Sequence, residues 1–167
     1  MHSIGDLLRW LEDSAFAVSI TQSDWAFPAL ETVHVLALSL VLGTVCVVDL
    51  RLLGWASRQR PYRELAREVL PWTWIAFCFS VASGGLMFIT QAVEYYENVA
   101  FRLKMTLLLL AGLNMAIFEL FTVRDAAKWG QGMSASWRAK LAGALSLSLW
   151  VAIVFFGRRI GFTMMPE

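Results

Sequence analysis

One apolar stretch near the start of the chain, residues 25–51, decides what this sequence can fold into. It is longer than the ~20 residues that a helix needs to cross the hydrocarbon core of a bilayer. It nevertheless carries Glu31 and His34, one helical turn apart, and Asp49 near its far end. A charged side chain near the bilayer centre costs about 2.5–3.5 kcal/mol on insertion scales. Glu31 and His34 are therefore the first candidates for a functional site.

The composition of the 167 residues is that of a membrane protein. Hydrophobic residues make up 58% of the chain and charged residues only 16%, whereas about a quarter of a soluble domain is charged. A net charge of +1 without a basic run argues against nucleic acid as a partner. Cys46 and Cys78 both fall inside apolar stretches, which is typical of small buried side chains and not of a disulfide framework. Charged residues interrupt the first 24 positions, so we expect no cleavable signal peptide.

The hydropathy pattern predicts an all-α fold, a four-helix integral membrane bundle that forms a single domain over residues 1–167. The predicted spans cover residues 25–53, 71–95, 100–121 and 137–162, each at or above the ~20 residues required. Residues 3–22 predict a short amphipathic helix in the membrane interface. Ser23 or Asp24 is predicted to cap the first span, and residues 62–69 are predicted to form a short surface helix that leads into the second span.

Basic residues are concentrated in the connections that follow the first and third spans. These segments hold Arg51, Arg58, Arg60, Arg63, Arg67, Arg124, Lys128, Arg138 and Lys140. Because short cytoplasmic loops carry the excess of Lys and Arg, both termini are expected outside. In a bacterium this predicts a multi-pass protein of the inner membrane with periplasmic termini.

Polar side chains of all four spans fall at a similar depth in the predicted outer half of the bilayer. At ~1.5 Å per residue, Glu31 and His34 lie about six and nine residues inside the first span, and Met87 lies about eight residues inside the second. The third and fourth spans complete a predicted cofactor-binding set of Glu31, His34, Met87, Arg102, Lys104 and Arg158. The convergence predicts a binding or electron-transfer subunit with a polar pocket in this half of the membrane.

Two kinds of ligand suit such a pocket, a b-type haem and a quinone-like molecule. For haem, His34 and Met87 are the candidate iron ligands, and Arg102, Lys104 and Arg158 can pair with the propionates. The other histidine, His2, lies outside the bundle, so the haem would be bound by His34 and Met87, be five-coordinate, or be shared across a dimer. The E-x-x-H spacing of Glu31 and His34 also occurs in di-iron bundles, which need a second such pair.

Three other interpretations stay open. In a structural one, Glu31 pairs with Lys104, and His34 is hydrogen-bonded to Glu31 or to a neighbouring helix. In a second, the protein is a small transporter component that passes a metal ion or protons, and in a third it is a ligand-free scaffold subunit. No nucleophile arrangement, phosphate loop or zinc motif is present, so an autonomous enzyme is not expected. The expected partners are the lipid bilayer, a periplasmic or membrane redox partner, and a second copy of the chain.

A second, sparser polar set lies near the predicted inner surface. It consists of Asp49, Arg51, Asn114 and Glu119. Asp49 and Arg51 can pair with Glu119 or Arg124 across the first and third spans, and stabilisation of the helix ends is the interpretation favoured here.

Several stretches resemble a family of small bacterial four-span membrane proteins, DUF6644. They are ETVHVL (31–36), VDLRLLG (48–54), LPWTW (70–74), AFRLK (100–104), AGLNM (111–115) and GRRIGF (157–162). The resemblance runs from about Trp10 to Phe162 and implies the four-span architecture, but no activity. The sequence is more distantly similar to copper-resistance D-type proteins and to four-helix b-type cytochromes. Those cytochromes use several histidines, whereas this chain offers one within its spans.

Overall fold

The computed structural model describes residues 4–56, 59–122 and 136–164, and the regular elements among them are helices. In chain order they are α1 (Ile4–Glu12), α2 (Ala15–Thr21), α3 (Ala26–Leu53), α4 (Tyr62–Thr90), α5 (Ala92–Glu97), α6 (Val99–Ile117) and α7 (Trp137–Thr163). A π-helical turn, Phe118–Thr122, continues α6. The helices α3, α4, α6 and α7 are long and apolar enough to cross a membrane. The predicted all-α membrane bundle is thus confirmed.

Large apolar side chains cover the outward faces of the four long helices. Examples with more than half of their surface exposed are Leu36, Phe79, Leu109, Leu113 and Phe155. In water such a surface would drive aggregation, whereas in a bilayer it faces hydrocarbon of the same polarity. The exposed apolar surface therefore agrees with the hydropathy pattern in making this a multi-pass membrane protein.

The helix α3 lies at the centre of the packing. It packs against α4 on one side and α7 on the other, and α6 packs against α7. No comparable packed interface forms between α4 and α6. Two aromatic contacts link α4 with α6 and its π-helical continuation: Phe88 stacks on Phe101 with centroids 5.5 Å apart, and Tyr62 meets Phe118 edge-on at 5.8 Å. Between these contacts the two helices stay apart.

The boundaries of α4 differ from the prediction at both ends. The predicted surface helix of residues 62–69 is the first part of α4, which continues through Pro71. A proline removes one backbone hydrogen bond, but membrane helices tolerate it because neighbouring groups satisfy the freed carbonyl. At the other end α4 stops at Thr90, since Gln91 leaves the helical region (φ −149°, ψ 48°). The short α5 follows, where the Glu12 carboxylate of α1 accepts a hydrogen bond of 2.9 Å from the Val93 N–H.

The other helix ends follow local capping rules in part. The predicted interfacial helix is two helices, because Ser14 ends the first and caps the second by accepting a hydrogen bond from the Ala17 N–H. The predicted cap of α3 at Ser23 or Asp24 is wrong: Trp25 precedes the helix and makes no side-chain cap. Gly54 ends α3 with φ 78°, a left-handed conformation that suits glycine. Of the residues named from the sequence, His2, Arg58, Arg124 and Lys128 lie outside the described parts of the chain.

Candidate functional site

Two polar sites lie inside the bundle, near opposite ends of α3. The first is a side-chain cluster around His34, formed by His34, Ser80, Ser83 and Lys104, and we call it the His34 junction. The second is a cavity that Asp49 lines, and we call it the Asp49 cavity. The corresponding ends of the bundle are called the His34 end and the Asp49 end.

His34 links α3 to α4 through its Nδ1 atom. This nitrogen lies 3.0 Å from the Ser80 carbonyl oxygen and 3.1 Å from the Ser83 hydroxyl oxygen. The Ser83 hydroxyl itself donates to the Phe79 carbonyl at 2.7 Å. Because a carbonyl can only accept, the contact with Ser80 favours a proton on Nδ1. In the neutral ring, Nε2 is then a hydrogen-bond acceptor.

Lys104 of α6 supplies the partner for the second ring nitrogen. Its Nζ atom lies 3.4 Å from His34 Nε2, and an ammonium group can only donate. The fourth long helix reaches the same place, because a Cβ atom at Gly157 of α7 would lie 3.5 Å from Lys104 Nζ. On α4, a Cβ atom at Gly84 would lie 2.9 Å from His34 Cε1, closer than real Cβ contacts allow. Side chains or close backbone from all four long helices thus meet at the His34 junction.

Of the six residues predicted to bind a cofactor, the junction brings together His34 and Lys104. Arg102 and Arg158 are exposed, and the Arg158 guanidinium lies over the Phe162 ring of its own helix, 5.5 Å from its centroid. Met87 is half-buried on α4, about one turn beyond Ser83. Glu31 is exposed, in a shallow depression with Thr32, Val35 and Leu36.

The predicted ion pair between Glu31 and Lys104 is wrong. Within the described residues, no basic nitrogen comes within 4.0 Å of the Glu31 carboxylate. His34 is instead hydrogen-bonded to neighbouring helices, as the structural interpretation allowed. A helix turns by about 100° per residue, so side chains three positions apart differ in direction by about 60°. That angle is enough to leave Glu31 on the surface while His34 points into the bundle.

The His34 junction does not fit a haem iron in this arrangement. Nδ1 is hydrogen-bonded to α4, and the Nε2 lone pair that iron would need accepts the hydrogen bond from Lys104. The ring also lies directly against Gly84, which leaves no room for a porphyrin on that side. Within the parts of the chain that the structure describes, no three His, Cys, Asp or Glu side chains form a group that could hold a metal ion. Haem binding by His34 and Met87 stays a prediction that this geometry does not favour.

The Asp49 cavity lies between α3, α4, α6 and α7 and has a volume of about 240 Å³. Its walls are largely apolar and rich in aromatic rings, which include Trp74, Phe77 and Trp150. Asp49 is the one carboxylate among the described residues that line it, and no Lys, Arg or His lines it. Thr73, Asn114 and Ser146 add polar atoms to the walls.

Asp49 is buried without complete hydrogen bonding. Only 5% of the residue's surface is exposed, and its Oδ2 atom has no hydrogen-bond partner among the described residues. The Ser146 hydroxyl lies near the carboxylate. The backbone of Asp49 is held close to α7, because a Cβ atom at Gly143 would lie 3.2 Å from the Asp49 carbonyl oxygen.

Arg51 does not neutralise this carboxylate. No basic nitrogen of the described residues lies within 4.0 Å of Asp49. Arg51 is 1% exposed and donates from Nε to the Arg60 carbonyl at 2.9 Å, and its Nη2 has no partner in the described part of the chain. The predicted partners cannot be located, since the Glu119 side chain and Arg124 lie outside the described residues.

The sequence contained a signal for this cavity, since Asp49 and Asn114 belong to the inner polar set, for which stabilisation of the helix ends was the favoured interpretation. Asp49, Asn114 and Ser146 are polar residues of three spans at a similar level, just as in the first set. Asn114 also ties α6 to α7 by donating to the Ala142 carbonyl at 3.1 Å. The aromatic walls carry no such signal, because Trp74 and Phe77 look the same in sequence whether they face lipid or a cavity.

Comparisons with known proteins identify the family of this chain but no relative of known function. No curated protein and no solved structure matches the chain. Similarity to copper-resistance D-type proteins and to b-type cytochromes therefore stays a prediction. The model of a family of unknown function, DUF6644, matches residues 9–163, nearly the whole chain. The protein belongs to the DUF6644 family.

Proposed function

We propose that this protein is a membrane-embedded binding subunit that takes a small lipid-soluble molecule into the Asp49 cavity. One observation carries the proposal: the four long helices form a partly open cavity of about 240 Å³ with apolar, aromatic walls and a few convergent polar groups. Binding sites for small molecules have this composition and often lie between the helices of a bundle. The quinone-like ligand expected from the sequence is a molecule of this kind.

The ligand enters from the bilayer between α4 and α6. These helices lack a packed interface, and both contribute to the cavity wall, α4 with Thr73 and Trp74 and α6 with Leu108 and Ala111. A molecule dissolved in the hydrocarbon core can pass between them without crossing the polar headgroups. The cavity is therefore suited to a ligand that partitions into lipid.

We place this ligand at the Asp49 end rather than in the pocket predicted around His34. The polar atoms of the His34 junction already bond to one another, so the junction offers a ligand no free hydrogen-bonding group on the ring. Its role in this proposal is to hold α3, α4 and α6 together. The Asp49 cavity has both the space and an oxygen without a partner.

The proposed orientation follows the basic residues. Arg51, Arg60 and Arg63 lie at the Asp49 end of the bundle, which is therefore assigned to the cytoplasmic side. In a bacterial inner membrane both termini are then periplasmic. A redox partner would be needed if the bound molecule were a quinone-like electron carrier.

A pair of glycine variants tests the proposal. Gly112 lines the cavity, and a Cβ atom there meets nothing within 4 Å, so Gly112→Leu should fill the space without a clash. Gly85 of α4 is equally open but does not line the cavity, which makes Gly85→Leu the matched control. Short-chain benzoquinones are titrated into the purified protein in detergent, and quenching of tryptophan fluorescence is followed, because Trp74 and Trp150 lie in the wall.

We expect saturable quenching in the unchanged protein and in Gly85→Leu, and only linear, non-saturable quenching in Gly112→Leu. Equal quenching in all three proteins would show that the probe binds elsewhere. Failure of the unchanged protein to bind the quinone or any other small lipid-soluble probe saturably would reject the cavity as a binding site.

A further inference from the structure

We infer that the Asp49 cavity selects a protonated lipophilic amine, a ligand with one ammonium group on an aromatic or branched apolar body. The inference rests on the proposed function, because it names the ligand class of the same cavity. It is carried by three features of the described residues, which are the charge of the cavity, the direction of its hydrogen bonds and its aromatic walls.

The charge of the cavity favours a cationic ligand. Asp49 is the one ionisable carboxyl group in the described wall, and no basic side chain of the described residues lies within 4.0 Å of it. A carboxylate buried in a membrane bundle without a counter-charge is costly. An ammonium group beside Asp49 would remove that cost, and the Arg51 side chain, which bonds to the Arg60 carbonyl, does not.

The hydrogen bonding in the cavity favours a ligand that donates a hydrogen bond. Oδ2 of Asp49 lacks a partner among the described residues. The Thr73 hydroxyl donates to the Val69 carbonyl at 3.2 Å and the Asn114 amide donates to the Ala142 carbonyl at 3.1 Å, so neither of these hydrogen bonds reaches Asp49. A ligand N–H can complete the bonding of Oδ2 and is therefore favoured over a ligand with carbonyl oxygens alone, such as a quinone, which can still occupy the apolar part of the cavity.

The aromatic rings suit the same kind of molecule. Tyr62, Trp74, Phe77, Phe118 and Trp150 all line the cavity. The faces of such rings attract organic cations, and the attraction strengthens where water is excluded. The apolar body of the ligand would contact the aliphatic wall, as at Val41, Val45 and Leu108. An inorganic cation has no such body, so the walls favour an organic amine.

Two probes of nearly the same shape test the inference. The first is 4-tert-butylbenzylamine, which is cationic at pH 7, and the second is 4-tert-butylbenzyl alcohol, which is neutral and keeps a hydrogen-bond donor. Both are titrated by calorimetry into the full-length protein in one detergent. The same titrations are run with Asp49→Asn, which keeps the shape of the side chain, and with Asp49→Glu, which keeps its charge.

We expect the unchanged protein to bind the amine about 10- to 100-fold more tightly than the alcohol, the range of a hydrogen bond to a charged group. Asp49→Asn should abolish this preference, whereas Asp49→Glu should keep it. Comparison of the two probes in the unchanged protein decides the question even if a variant fails to fold.

Equal affinities for amine and alcohol in the unchanged protein would overturn the inference, as would a preference for the amine that survives in Asp49→Asn. In either case saturable binding of the alcohol or of a benzoquinone would leave the proposed function standing. If the unchanged protein binds none of the three probes saturably, both the inference and the proposed function fail.

Discussion

The two ends of α3 bury polar side chains in opposite ways. At one end both ring nitrogens of His34 have partners, Ser80 on α4 and Lys104 on α6. At the other end Asp49 keeps an oxygen without a partner, beside a cavity of about 240 Å³. Buried polar groups in native proteins are nearly always hydrogen-bonded, so the exception needs an explanation. The comparison supports the proposal that the His34 junction holds helices together and that the Asp49 cavity binds a ligand.

The difference follows from how closely α4 and α6 approach each other. At the His34 end, Phe88 of α4 stacks on Phe101 of α6, and Lys104 of α6 can therefore reach His34. Further along, the two helices have no packed interface, and the space between them is the cavity. His34 and Asp49 on α3 thus have different surroundings because α4 and α6 are close together at one end of the bundle and apart at the other.

The largest expected effect is a loss of stability in His34→Leu. The substitution introduces an apolar side chain of similar size and leaves the Lys104 ammonium without its acceptor, which should cost about 2–4 kcal/mol. Unfolding by denaturant in detergent micelles measures the change. Ser39→Ala is the control, since the Ser39 hydroxyl is exposed and bonds to Val35 of its own helix; we expect a change below about 0.5 kcal/mol there.

A second substitution sharpens this result. Adding Lys104→Met to His34→Leu removes the unpaired charge, so the double variant should regain part of the lost stability. If the two losses simply add, His34 and Lys104 do not interact, and the role assigned to the junction is incorrect.

The next effect in size concerns the two adjacent glycines of α4. In Gly84→Ala, the new Cβ atom would lie 2.9 Å from His34 Cε1, and displacement of the ring should cost about 1–3 kcal/mol. In Gly85→Ala the Cβ atom meets nothing within 4 Å, so a helix stabilised by about 0.5–1 kcal/mol is expected. Thermal unfolding of the two variants in the same detergent measures the contrast, and equal stabilities would mean that His34 does not lie against Gly84.

The sequence predicts the spans far better than the way they face each other. The start of α7 at Trp137 is predicted correctly, because its cap, Ser136, is a neighbour in sequence that accepts from the Ala139 N–H. The end of α4 is missed, because α5 is stabilised there by Glu12, which lies 81 residues from Val93. A cap of that kind leaves no local pattern.

For the candidate site, depth is predictable from the sequence and direction is not. Counting residues places His34 and Lys104 at one level, and they do meet. The same count includes Glu31, Arg102 and Arg158, which are exposed. Apolar residues cover both the lipid-facing and the packed sides of a membrane helix, so periodicity cannot tell these sides apart. The polar residues of a span can therefore be assigned a depth in the membrane from the sequence, but their neighbours cannot.

The smallest expected effect decides whether the two ends of α3 really differ. Asp49→Asn removes a buried charge whose Oδ2 atom has no partner among the described residues, and it keeps the shape of the side chain. Stability in the ligand-free protein should therefore be unchanged or higher by about 1 kcal/mol, opposite in sign to His34→Leu. The same unfolding measurement applies, with exposed Asp24→Asn as the control. A loss above about 1 kcal/mol would make Asp49 a structural partner like His34, because only a carboxylate already paired within the protein is missed when its charge is removed.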